Sequence, residues 1–160
     1  MKLNEFLKEQ NIPYKSYELF EEAFTHPSYV NEAGRKVSHY ERLEFMGDAV
    51  LQLFVSEHIF KKYPNVPEGS LTTLRAKLVR EESLAKFARE LGLGKHIILG
   101  VGEVKNGGRD RDSVLANVFE AFVGAIYLDC GKDYVLKLLE KTIFMHVEDI
   151  DNEEIQEDKK

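Results

Sequence analysis

Three acids open an apolar stretch. In HYERLEFMGDAV, residues 39–50, Glu41, Glu44 and Asp48 stand at i, i+3 and i+7. At about 100° per residue of helix they fall within about 60° of arc and share one face. Leu43, Met46, Val50, Leu53 and Phe54 occupy most of the remaining circumference, which brings that face close to the core. Surface acids usually meet a cation three or four residues away. Around Glu44 those positions hold Tyr40, Glu41, Gly47 and Asp48, and around Asp48 they hold Glu44, Phe45, Leu51 and Gln52. An unpaired buried carboxylate costs several kcal/mol, so something must neutralise the group.

The pattern recurs in SVLANVFEAFVGAIYLD, residues 113–129, where only Asn117 and Glu120 are polar between Ser113 and Tyr127. They also lie at i and i+3, with no cation at the neighbouring helical positions. Two apolar helices would thus each aim a polar pair inward, with Gly47 and Gly124 small enough for close approach. Oxygen donors from facing helices suit a hard divalent cation, Mg²⁺ or Mn²⁺, and the absence of His and Cys from the set argues against zinc. A divalent site is the leading reading; a buried acid paired to a distant arginine and ordinary helix-start acids remain open. Carboxylate-held Mg²⁺ commonly serves phosphate-ester or phosphoanhydride hydrolysis.

The elements that must position these residues read as helical nearly throughout, with no useful run of strand alternation, so an all-α domain is expected. Short helices are expected over Leu3–Glu9 and Tyr17–Thr25, punctuated by Pro13 and Pro27, with a short turn over 28–33. The longest helix is expected from about Ser38, as N-cap with Glu41 completing a capping box, to Tyr63 before Pro64. Helices over Leu71–Arg80 and Glu82–Leu91 follow, ended by Gly92 and Gly94. GVGEVKNGG reads as a connector lacking the Gly-Lys-Ser/Thr ending of a phosphate loop. Asp112 or Ser113 would cap the second apolar helix, which Gly131 closes, and a last helix should run from Tyr134 to about Val147.

The 160 residues suffice for one domain, and 43% apolar content is enough to fill one core. No uninterrupted apolar run approaches a membrane span and no secretory signal pattern opens the chain, so a cytoplasmic protein with no membrane partner is expected. The single Cys130 reads as a small core filler. The net charge of −6 is uneven: residues 148–160 hold seven acids and two lysines, leaving −1 for residues 1–147. Residues 74–111 carry nine Lys/Arg against five acids, a basic region able to face phosphates. His26 reads as a capping or packing histidine. Tyr40, Phe45, Phe119 and Phe122 read as packing the core or a subunit interface.

HYERLEFMGDAVL resembles the signature of the ribonuclease III family, bacterial type. The resemblance continues in order through THPSYVNE, PEGSLTTLRAKLVR and LGVGEVKNGGRDRDSVLANVFEAFVGAIYLDCG, covering roughly residues 5–146. It implies an all-α endonuclease domain over 1–147 that pairs as a two-fold symmetric homodimer. It also implies cleavage of double-stranded RNA with Mg²⁺ (Mn²⁺ able to substitute), leaving 5′-phosphate and 3′-hydroxyl staggered ends in rRNA and mRNA processing. By the same resemblance Glu44 and Glu120 are metal ligands and Asn117 occupies a ligand position. Asp48 is a site carboxylate that orders water, Glu41 is the first acid of the signature, and Glu68 is an acid that reaches toward the partner's site. Arg75, Lys77, Arg80, Arg109 and Arg111 are candidates for RNA backbone contacts, since A-form RNA is recognised largely through shape, phosphates and 2′-hydroxyls.

The sequence departs from the family at Asn117, where Asp is usual. An amide oxygen still ligates but brings no charge, so metal affinity and water activation should suffer. A natural amide-tolerant variant and an engineered inactivation both fit. A second expectation is that residues 148–160 form an acidic linker or tail without the double-stranded-RNA-binding domain that normally follows. The rival readings are an inactive RNA-binding or assembly module of the same fold, and an all-α nucleotide pyrophosphohydrolase.

Overall fold

The computed structural model describes residues 1–34 and 37–150; residues 151–160, most of the expected acidic tail, lie outside them. The expected all-α class is observed. The helices are α1 Leu3–Glu9, α2 Tyr17–Ala23, α3 Pro27–Ala33, α4 Glu41–Lys62, α5 Glu68–Val79, α6 Glu81–Leu91, α7 Val101–Lys105, α8 Asp112–Cys130 and α9 Lys132–Glu140. Among the described residues the only sheet-like feature is one parallel bridge between Thr25 and Ile98.

Helix α8 is the centre of the fold. Its side chains are buried nearly all round, from Val114 to Ile126, with Asn117 and Glu120 the polar exceptions. By length and hydropathy Asp112–Cys130 would also pass as a membrane span, yet most of it is enclosed by the neighbouring helices. Phe122 meets Phe6, Phe20 and Phe24 at ring-centroid distances of 6.0, 6.2 and 5.5 Å. Burying each phenyl is worth roughly 2–3 kcal/mol, so this aromatic cluster ties α1 and α2 to α8.

Helix α4 crosses α8 at backbone contact. A Cβ added at Gly47 would land on the main-chain carbonyl of Glu120, and one at Gly124 on that of Leu43. Only glycine lets the two helices come this close, and the crossing sets the polar face of α4 against Asn117 and Glu120. The close approach expected from the glycines is therefore present.

Several element ends differ from expectation. Ser38 is exposed and caps nothing; the N-cap residue of α4 is Tyr40. Its own N–H donates to Thr25 O at 3.0 Å, and the Glu41 N–H donates to His39 Nδ1 at 3.3 Å, so no capping box is needed. Helix α5 begins three residues early, at Glu68, because Pro67 in extended conformation starts it directly. Neither Asp112 nor Ser113 is the N-cap of α8, which is Arg111; the Asp112 carboxylate instead pairs with Arg89 Nη2 at 2.6 Å. The connector holds the short helix α7. The last expected helix is broken: α9 ends at Glu140, and a 3-10 turn over Ile143–His146 follows buried Thr142, whose hydroxyl donates to Leu138 O at 2.8 Å.

Candidate active site

The crossing opens a cleft of about 640 Å³ lined by Tyr40, Glu41, Glu44, Phe45, Asp48, Asn117 and Glu120. Depth rises across it. Glu41 and Asp48 are exposed, whereas Glu44, Asn117 and Glu120 are half-buried. The residues that sequence spacing set on two separate helices thus come together in one cavity.

Its electrostatics are one-sided. Among the described residues no Lys or Arg forms a salt bridge with Glu44, Asp48 or Glu120, so the reading of a buried acid paired to a distant arginine finds no partner. Burial foremost, then a hydrogen bond with Asp48 and the charges of Asp48 and Glu44, pushes the Glu120 carboxyl up to about 8. Glu44 is also raised, by burial first and then by Glu41 and Asp48. Asn117 Nδ2 donates to Tyr40 Oη at 3.4 Å, which leaves its Oδ1 as the amide atom available to the cleft. Burial raises the Tyr40 hydroxyl too, keeping it protonated.

No three acidic, histidine or cysteine side chains among the described residues already converge into a coordination cage. The donors instead border an open cleft, and all of them are oxygens, the chemistry of a hard cation rather than zinc. Three carboxylates without a counter-charge are the kind of set that a dication stabilises, so the residues present fit such an ion.

The remaining candidate residues lie elsewhere. Glu68 is exposed at the first turn of α5 and does not line the cleft. Arg75 Nη1 donates to Ser56 Oγ at 2.8 Å, bracing α5 against α4. Arg80 is exposed and stands 3.7 Å from Glu82. Lys77 is half-buried on α5. Arg109 turns inward, Nη1 donating to Gly94 O and Ile97 O at 2.7 Å each. Arg111 pairs with Glu103 at 2.8 Å.

Sequence reasoning assigned Tyr40 and Phe45 to the core or a subunit interface; Tyr40 is indeed buried in the core, 4% exposed, and both residues also line the cleft. The signal for Tyr40 was its spacing, because 40, 44 and 48 fall on one helical face. Phe45 is 80% exposed, which its type alone would not suggest. His26 does cap: its Nδ1 accepts the Ser28 N–H at 3.0 Å at the start of α3.

Comparison with known proteins agrees with this geometry. The Ribonuclease-III-like family profile matches residues 16–147. Ribonuclease 3 of Staphylococcus aureus strain bovine RF122 / ET3-1 is 51% identical over 143 residues, 89% of this chain and 59% of that protein. The protein of strain JH9 is 50% identical over the same shares. This chain therefore spans somewhat over half the length of these relatives. The nuclease domain of ribonuclease III from Campylobacter jejuni superposes with a TM-score of 0.79 at 38% identity, covering 88% of this chain and 92% of that one. A second structure of that domain, described as showing flexibility in a region involved in dimer formation, gives 0.80 at 40% identity, with 88% and 98% covered. Set on this fold, with acids and an amide facing one another across the α4–α8 crossing, the chain belongs to the ribonuclease-III-like family.

Proposed function

We propose that residues 1–147 form an endoribonuclease domain that hydrolyses phosphodiester bonds of double-stranded RNA with a divalent cation. The observation that carries this is the cleft in which Glu44, Asp48 and Glu120 meet with no positive charge. Glu44 and Glu120 would hold the ion, with Asn117 Oδ1 as a neutral third donor, and the exposed Asp48 would hold and orient the attacking water. When bound, Mg²⁺ or Mn²⁺ supplies polarisation of the scissile phosphate and a lowered pKa for water. Tyr40 fixes the amide of Asn117, so that Oδ1 rather than Nδ2 serves the cleft. Glu41 adds negative potential at the rim. Arg75, Lys77, Arg80, Arg109 and Arg111 remain candidates for backbone contacts, with Arg80 the most open of them.

A homodimer suits the outer surface of α4. Phe45, Leu53 and Phe60 are 80, 64 and 70% exposed along it, and Leu128 is 54% exposed nearby on α8. Apolar side chains this large on one face mark an association surface. Glu68, away from the cleft of its own chain, would then serve the partner's. Cytoplasmic processing of rRNA and mRNA precursors is the proposed setting, as for a bacterial ribonuclease III.

Asn117 favours a second reading, an RNA-binding module without catalysis. One assay separates the two: a long RNA duplex incubated in Mg²⁺ with this chain and with Asn117→Asp, the product ends being mapped. Staggered 5′-phosphate ends that increase with Asn117→Asp support the nuclease. Binding with no cleavage by either protein selects the second reading.

A further inference from the structure

The THPSY segment does more than start α3. His26 N–H donates to Ile98 O at 2.9 Å and Ile98 N–H to Phe24 O at 2.8 Å, laying the segment alongside residues 97–99. The His26 ring then extends the join. Its Nδ1 accepts the Ser28 N–H at 3.0 Å and lies 2.8 Å from Ser28 Oγ, which itself accepts the Gly100 N–H at 2.9 Å. Glu32 Oε1 accepts the next amide, Val101 N–H, at 3.1 Å. A Cβ at Gly100 would meet the Glu32 carboxylate and come within 2.7 Å of the Ser28 main-chain oxygen, and it is this backbone contact that calls for glycine in the docking. On its other side the His26 ring stands edge-on to Tyr40, centroids 5.7 Å apart at 88°, and Tyr40 holds Asn117.

We propose that His26 is a positioning residue: its Nδ1, acting as an acceptor through Ser28, latches the arm of residues 98–106 and fixes that arm relative to Tyr40 and the acidic cleft. Resting on the nuclease reading, the arm, which ends at exposed Lys105 and Asn106, is the part that meets the RNA backbone beside the cleft. The ring must be neutral for this work. A proton on Nδ1 would oppose the Ser28 N–H and remove the acceptor for the Ser28 hydroxyl. The groups acting on it are Glu103 on α7, Arg111 ahead of α8, and His39 ahead of α4. Burial first, and then Arg111 and His39, hold the ring below its ordinary value against the opposing pull of Glu103. The latch therefore stays closed at neutral pH and opens only in acid.

The test uses the whole chain and its His26→Ala, His26→Asn and Ser28→Ala variants. Exchange of the Gly100 and Val101 amides is followed by NMR between about pH 7.5 and about pH 5.5, corrected for intrinsic rates. Asparagine offers an oxygen where Nδ1 stood and does not titrate. In the parent, protection at Gly100 should fall toward acid pH. His26→Asn should keep the protection and lose the pH dependence, while the two alanine variants lose about tenfold at all pH values. Parental protection in His26→Ala, an Asn variant no better than Ala, or an undiminished acid response in His26→Asn would each overturn the latch. Binding of a short RNA duplex in Ca²⁺ is read in parallel, and should weaken in His26→Ala and recover in His26→Asn. If the parent itself binds no duplex, the nuclease reading fails, and the exchange pattern still decides the latch.

Discussion

Replacing Glu120 with glutamine should make the cation-free protein more stable at alkaline pH, an unusual sign for removing a charged group near an active site. The Glu120 carboxyl sits at about 8 in the fold against an ordinary value of 4.5. The folded state therefore holds a proton that the unfolded chain gives up. This contribution is fully present below about pH 4.5 and is lost progressively as pH rises to about 8, beyond which the fold carries an uncompensated anion. The window spans about 3.5 pH units, which at about 1.4 kcal/mol each sets a ceiling of about 5 kcal/mol. The cleft is open and Asp48 shares the effect, so about 2 kcal/mol is the better expectation, or about 4–8 °C in melting temperature for a chain of this size. Glutamine resembles the protonated carboxyl and should remove that part of the slope. Thermal melts of parent and Glu120→Gln at about pH 5, 6.5 and 8, in chelator and in Mg²⁺, test this directly. The curves should nearly coincide in acid and separate at pH 8 in chelator. Mg²⁺ at ten times its dissociation constant would raise the parent by about 1.4 kcal/mol and narrow the gap, with a smaller gain for the variant. A variant less stable than the parent at pH 8 in chelator, or an equal Mg²⁺ gain in both, would refute the reasoning.

Gly47→Ala places a methyl on the Glu120 carbonyl, and no rotamer relieves a clash with backbone. The helices must part, so a loss of about 3 kcal/mol or more in chemical denaturation is expected, together with loss of divalent binding. Arg109→Ala removes two hydrogen bonds to the carbonyls of Gly94 and Ile97, and should lower stability by about 1–3 kcal/mol in urea titrations. If Arg109 acts mainly as an RNA contact, stability stays level and the salt dependence of duplex binding becomes shallower. Phe45→Glu puts a charge on the outer face of α4 and should shift sedimentation from dimer to monomer while leaving helix content by circular dichroism unchanged.

What the sequence disclosed and what it hid divide along one physical line. Periodicity reports which face of a helix is buried, so α4, α6 and α8 were legible, and so was the meeting of Glu44 and Asp48 with Asn117 and Glu120. Gly47 and Gly124 told how near the helices come, because backbone contact leaves no room for any other residue. Helix ends were less legible because tertiary hydrogen bonds decide them. Thr25 and His39, not Ser38, meet the first amides around Tyr40 and Glu41. Arginines are ambiguous for a related reason. Arg109 and Arg111 have one composition-level signature, yet one points at two internal carbonyls and the other at Glu103. Nothing in the spacing of charges distinguishes a guanidinium that braces a loop from one left for a phosphate.

The same logic links the acidic cleft to the amide at 117. With the Glu44 and Glu120 carboxyls already pushed up by burial and by the neighbouring acids, an aspartate at this position would add a further like charge on the same crossing. Asparagine spares the cation-free fold that repulsion and donates to Tyr40, which aspartate, accepting only, would do the reverse of by taking the Tyr40 proton as its donor. The exchange thus runs in opposite directions for the two states. Asn117→Asp should weaken the fold in chelator and strengthen it in Mg²⁺, with melting temperatures crossing between the two conditions. Because the crossing depends on charge at the cleft and not on any RNA substrate, it reads the cation site even if cleavage proves absent. Melting temperatures that move the same way in chelator and in Mg²⁺ would show that Asn117 faces no ion.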